Sequence, residues 1–141
     1  MSVLGKVIAF HAWHTTNPLK VASSGTLILN HAVTNIGNAY NTQTGIFTVP
    51  VDGLYDFQAT FMPNKSTIKT AFVGLFVDNN MMAEGVSDSS HNYWDQSTIR
   101  AVVHVKKNQR VWLKNMSNPA DLYVCTAEPY STFSGFLIRA D

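Results

Sequence analysis

Single alternation of apolar and polar residues is the dominant pattern along this chain. In Leu-Tyr-Asp-Phe-Gln-Ala-Thr-Phe-Met (54–62), Tyr55, Phe57, Ala59 and Phe61 fall on one face, and Asp56, Gln58 and Thr60 on the other. A period of two predicts a β-strand with one buried and one wetted face. The segment 98–107 repeats the pattern: Ile99, Ala101, Val103 and Val105 alternate with Thr98, Arg100, His104 and Lys106, and Val102 breaks it. Segments 6–13, 69–78, 110–115, 121–127 and 131–140 add further strands. The run Ala71–Val77 is apolar at both parities, which predicts a central strand covered on both sides, by its own sandwich or by a neighbouring subunit.

Turn-forming residues punctuate these runs at Asn17-Pro18, Ser23-Ser24-Gly25, Val51-Asp52-Gly53, Asp78-Asn79-Asn80, Lys107-Asn108-Gln109 and Asn118-Pro119. About ten short strands with such spacing predict an antiparallel sandwich or barrel. The chain of 141 residues suits one domain, and its 45% apolar content can fill a core. Only 13% of residues are charged, about half the usual ~25%. Asn, Ser, Thr and Gln carry the surface instead, which favours a secreted or assembling protein.

Charge excludes several functions. The net charge is +1 and no basic run exceeds Lys106-Lys107, so neither nucleic acid nor an anionic membrane is the expected partner. No apolar stretch is long enough to span a bilayer. The first ten residues lack the apolar core of a signal peptide, so the protein is either internal or written without its leader. Cys125 is the single cysteine, which forbids an internal disulfide and reads as a small buried apolar residue. Sequons occur at Asn64-Lys65-Ser66 and Asn115-Met116-Ser117.

Chemistry is sparse. His11 and His14 stand three apart, on opposite faces of a strand, and are not expected to share a metal. Neither a nucleophile elbow nor a metalloprotease or phosphate-loop motif is present, and no catalytic residue is assigned. The most site-like segment is the polar stretch from Ala83 to Gln96, read as one long loop. Asp88, His91, Tyr93, Trp94 and Asp95 are its candidate ligand contacts; the bland reading is a solvated loop with Trp94 folded onto the core. Trp112, on a strand opposite Val111 and Leu113, reads as packing.

One pattern is more specific. Asn35, four residues, Tyr40, six residues, Phe47, five residues, then Gly53-x-Tyr55-x-Phe57 resembles the signature of the complement C1q globular-head domain family. Leu29 and Ala59 stand where that pattern has aromatic residues. Phe10 and Ala12 in the first strand, Val111-Trp112-Leu113, and Thr132, Phe133, Gly135, Phe136 and Leu137 in the last strand are similar to the family too, with Gln109 in place of its Asp. The resemblance covers residues 7–139. It divides the chain into an N-terminal extension, 1–6, and a head domain, 7–141.

The resemblance implies an all-β, ten-stranded antiparallel jelly-roll sandwich that assembles as a homotrimer, a threefold contact burying the second face of the run from Ala71 to Val77. It implies a secreted, extracellular, non-enzymatic recognition module. The expected reading is a lectin-like pattern-recognition protein with carbohydrate or microbial surface ligands; the alternative is a cytokine- or adhesion-type ligand of a cell-surface protein. It further implies calcium as a possible cofactor, with Asp78 and Asp95 as candidate ligands. Phe10, Asn35, Tyr40, Phe47, Gly53, Tyr55, Phe57, Phe133, Gly135 and Phe136 are its expected structural signature.

Overall fold

The computed structural model describes residues 5–15, 19–64, 70–117, 122–124 and 129–141. The strands are β1 (Ala9–Trp13), β2 (Leu19–Val21), β3 (His31–Ile36), β4 (Tyr40–Asn41), β5 (Ile46–Thr48), β6 (Gly53–Phe61), β7 (Thr70–Val77), β8 (Asn80–Asp88), β9 (Ser97–Val105), β10 (Arg110–Asn115), β11 (Leu122–Val124) and β12 (Thr132–Ala140). One five-stranded sheet runs β3-β1-β12-β6-β9, the other β4-β5-β10-β7-β8, and β2 pairs with β11 apart from both. Every pairing is antiparallel. The two large sheets supply the ten strands of a jelly roll, and β2 with β11 forms an added ribbon. Cys125, Asn17-Pro18 and Asn118-Pro119 lie outside the described residues.

Alternation places the core as expected. Tyr55, Phe57, Ala59 and Phe61 of β6 face inward and meet Ile99, Ala101 and Val105 of β9 and Phe133 of β12. From the other sheet come Ala71, Val73, Leu75 and Val77 of β7 with Val111 and Leu113 of β10. Phe10 sits at the centre of the aromatics: its ring lies 4.9 Å from both Tyr40 and Phe47 and meets Phe133 edge-on at 4.8 Å. Each such buried side chain contributes roughly 1.5–3 kcal/mol by leaving water, and the offset and edge-on pairs add about 0.5–1.5 kcal/mol each.

The signature residues are therefore mostly structural. Asn35 closes the β3–β4 turn: its Nδ2 donates to the Tyr40 carbonyl at 2.8 Å and its Oδ1 accepts from the Tyr40 amide at 3.2 Å. The Tyr40 hydroxyl donates to the Leu29 carbonyl at 2.7 Å, which ties Leu29 into the same knot. Burial pushes the Tyr40 phenol far above its ordinary range. Gly135 is required by close approach, since a Cβ there would lie 2.5 Å from Phe57 Cδ1 and 2.9 Å from Phe10 Cε1. Phe136 departs from this company. It is 48% exposed, on the outward face of the first sheet.

The run from Ala71 to Val77 is a central strand, between β10 and β8. Its second face is divided: Phe72 is exposed, beside the exposed Val86 of β8, whereas Phe76 is covered. Phe76 is buried under its own chain, stacked on Trp112 at 5.0 Å with the Lys114 ammonium 5.3 Å from its ring. The first sheet carries an exposed apolar row of its own. Register aligns Ile36, Ala9, Phe136, Asp56 and Val102 across β3-β1-β12-β6-β9. Ile36, Phe136 and Val102 are exposed, as are Leu54 and Ile138 beside them.

Candidate functional site

The polar stretch 83–96 is only partly a loop. Ala83–Asp88 belongs to β8, because this half pairs with β7 down to Thr70–Asp88. The connection to β9 is residues 89–96, at the end of the sandwich where β6 finishes and β9 starts. Polar side chains brace it from within. Asp95 Oδ2 accepts from the Asp88 amide at 2.8 Å and from the Ser87 hydroxyl at 3.2 Å, and the Ser87 hydroxyl also donates to the Asp95 carbonyl. The Asp95 amide donates to Ser89 Oγ at 3.2 Å, and Ser87 and Ser89 are buried. Outside this knot, Ser97 Oγ donates to the Val86 carbonyl at 2.6 Å and Gln96 Nε2 to the Tyr130 carbonyl at 2.7 Å.

These contacts divide the five candidate residues. Asp95 points its carboxylate into the brace. Asp88 is exposed but accepts from the Ser90 amide at 2.8 Å and from Thr70 Oγ1 at 3.4 Å. Hydrogen bonds from Ser90 are the main reason its carboxyl titrates below the ordinary value. His91, Tyr93 and Trp94 stand outward; Tyr93 is 76% and Trp94 49% exposed. Trp94 is thus not folded onto the core. The loop gains its shape from Ser87 and Ser89, whose role only their burial reveals.

The two aspartates considered for calcium do not converge. Asp78 lies in the hairpin before β8 and Asp95 beyond its far end, so nine residues of strand at ~3.3 Å each separate them by roughly 25–30 Å. Asp78 Oδ1 accepts from the Arg110 amide at 2.9 Å and Oδ2 from Gln109 Nε2 at 3.1 Å. Gln109, the departure from the family's Asp, is thereby a clamp on that hairpin. Calcium takes 6–8 oxygens, and no group of three His, Cys, Asp or Glu converges among the described residues. Within one subunit these two residues do not fit a shared cation. His11 also lies apart from any such group; it stacks edge-on with Trp13, as His31 does.

Among the described residues, clefts open toward the other end of the sandwich, including two of several hundred Å³. The larger, about 640 Å³, is lined by turn residues including Asn38, Asn41, Gln43 and Asn108. The second, about 450 Å³, lies on the outward face of the second sheet among Thr26, Ile46, Asp78, Asn79, Arg110 and Trp112. Trp112 therefore packs, as read from the sequence, and also lines a cleft. Sequence reading missed that role because Ile46 and Asn79 reach Trp112 only through strand pairing.

The sequon at Asn115 is closed by the fold. Asn115 is 1% exposed; its Nδ2 donates to the carbonyls of Val21 and Ala22 at 3.1 and 3.2 Å, and its Oδ1 accepts from the Ser117 amide at 2.8 Å.

Comparison with known proteins agrees with this architecture. A family model described as the C1q domain matches residues 9–138. Complement C1q tumor necrosis factor-related protein 3 of mouse is 32% identical over 112 residues, covering 79% of this chain and 44% of that protein. The chain thus spans less than half the length of that relative. Among solved structures, the globular domain of a zebrafish complement 1qA protein superposes with a TM-score of 0.78 at 19% identity, covering 95% of this chain and 99% of that one. The Eiger TNF of S. frugiperda superposes with a TM-score of 0.77 at 12% identity, covering 97% and 96%. At these identities the superpositions establish the fold. Among the described residues no helix is long and apolar enough to cross a membrane.

Proposed function

The chain belongs to the C1q domain family, and from that premise we propose that it is a secreted, non-enzymatic recognition module that binds carbohydrate on microbial or cell surfaces as a homotrimer. Domains of this family assemble as trimers and bind ligands or receptors. The observation that carries the carbohydrate reading is the pair Tyr93 and Trp94. Two adjacent exposed aromatics sit on a loop whose backbone is held by Asp95, Ser87 and Ser89. A rigid aromatic surface presents apolar area at little conformational cost and can stack on the C–H face of a sugar ring. His91 and the exposed oxygens of Asp88 flank it as hydrogen-bonding partners.

Trimerisation has its own support in the exposed apolar row of Ile36, Phe136 and Val102 with Leu54 and Ile138. A surface of that kind on a soluble domain marks an interaction site. Three weak sites at fixed spacing then gain avidity on a repetitive surface, up to about 10²–10⁴-fold.

The test is binding of the intact protein to a glycan and microbial-polysaccharide array, beside Tyr93→Ala and Trp94→Ala. The expected result is binding that falls at least tenfold in each variant at unchanged oligomeric mass. EDTA is expected to leave binding unchanged, since Asp78 and Asp95 are engaged at opposite ends of the sheet. No binding to any glycan, with capture retained on deglycosylated cell membranes, would overturn the lectin reading in favour of a protein receptor.

A further inference from the structure

We infer that the cleft at Trp112 is a second carbohydrate site, built to take a neutral pyranose ring. It rests on the carbohydrate reading above but not on the loop that carries it, from which it is separated by the length of β8.

The argument begins with the indole. Trp112 stacks on Phe76 across the β7–β10 ladder, with 26° between the ring planes. Its Nε1 donates to the Asp78 carbonyl at 2.9 Å. Asp78 is itself held by the Arg110 and Gln109 donors, and its own amide donates to the Arg110 carbonyl at 2.7 Å. The ring is therefore fixed in plane and position before any ligand arrives, while remaining half-buried and lining a cleft of about 450 Å³. That volume falls within the ~300–1,000 Å³ of small-ligand clefts.

The polar groups around the indole suit a polyol. The Asn79 carboxamide, the Arg110 guanidinium and the Thr26 hydroxyl line the cleft, and none makes a side-chain hydrogen bond or ion pair among the described residues. Asn79 and Thr26 can both donate and accept, Arg110 only donates, and Asp78 keeps further acceptor capacity. Vicinal sugar hydroxyls need this mixture. A sugar's C–H face needs the apolar floor that Trp112 and Ile46 provide. The one cation and the one anion in the cleft offset each other, so the site does not select a charged sugar.

The three tryptophans of the chain allow the two sites to be read separately. The protein is labelled with 5-fluorotryptophan, and its three ¹⁹F resonances are assigned with Trp13→Phe, Trp94→Phe and Trp112→Phe. It is then titrated into the tens-of-millimolar range with the methyl pyranosides of glucose, galactose and mannose, and with methyl glucuronide as an acidic arm. The expected result is a saturable shift of the Trp112 resonance by at least one neutral glycoside. Arg110→Ala and Asn79→Ala, both at exposed side chains, are each expected to weaken it about tenfold. Absence of any Trp112 shift overturns the inference, as does a shift that both variants leave intact. Stronger binding of the glucuronide overturns the neutral assignment. A shift confined to Trp94 removes this site and keeps the loop; a shift confined to Trp112 does the reverse.

Discussion

Arg100 forks onto Asp56 diagonally across the β6–β9 ladder, with Nε 3.0 Å from Oδ1 and a terminal nitrogen bonded to Oδ2. The carboxylate is buried while the arginine side chain is 62% exposed. Removing Arg100 leaves the buried Asp56 carboxylate without its partner, so Arg100→Ala is expected to lower stability, by less than the loss of a fully buried pair because water reaches the guanidinium. The urea midpoint at neutral pH checks the direction, and Arg100→Lys, which loses the two-pronged geometry, should fall between the two.

The exposed row beside that pair predicts the oligomer. Phe136→Glu combined with Val102→Asp places charge on a face that subunits are proposed to bury. Light scattering should then report the 15.6 kDa of one chain, where the unaltered protein is expected to give three times that mass. A folded double variant that remains trimeric would put the contact elsewhere.

Gly135 predicts a packing defect. A methyl group there meets the rings of Phe57 and Phe10, both walled in by other aromatics. Gly135→Ala is expected to cost about 1–3 kcal/mol from overpacking, read as a lowered denaturation midpoint with unchanged denaturant slope.

Asp88 predicts a pH signature with a definite sign. Its folded-state value is lowered below 3.8, chiefly by Ser90. Whatever it contributes to holding the loop is fully present above the unfolded value, and is lost as pH falls through the lower folded value. Side-chain carboxyl NMR should show Asp88 titrating below the ordinary range, and Ser90→Ala should move it upward.

Asn115 predicts a negative result in glycosylation. Expressed through a secretory pathway, the folded protein should carry no glycan there, because the amide nitrogen is buried and already donating to two carbonyls. Peptide mass spectrometry gives the answer directly.

The strands were legible in the sequence because alternation is a local property. Tyr55, Phe57, Ala59 and Phe61 announce a buried face within nine residues, and the spacing from Asn35 to Phe57 announces the family. The candidate site was legible only in part. Tyr93 and Trp94 stand outward as a polar loop with aromatics suggests. Asp95, alike in the sequence, turns inward because Ser87 and the Asp88 amide offer donors there.

By itself, then, the sequence determined a β-sandwich of this family and the residues that fill its core, since period-two burial and turn chemistry act over a few residues. The tertiary structure alone decided what remained outside. Phe136 and Phe76 are both aromatic strand residues, yet Phe76 is buried against Trp112 while Phe136 stays about half exposed. Cross-strand register sets that difference. It also builds the Trp112 cleft from residues as distant in the chain as Thr26 and Arg110. No local pattern encodes a neighbour that arrives from another strand.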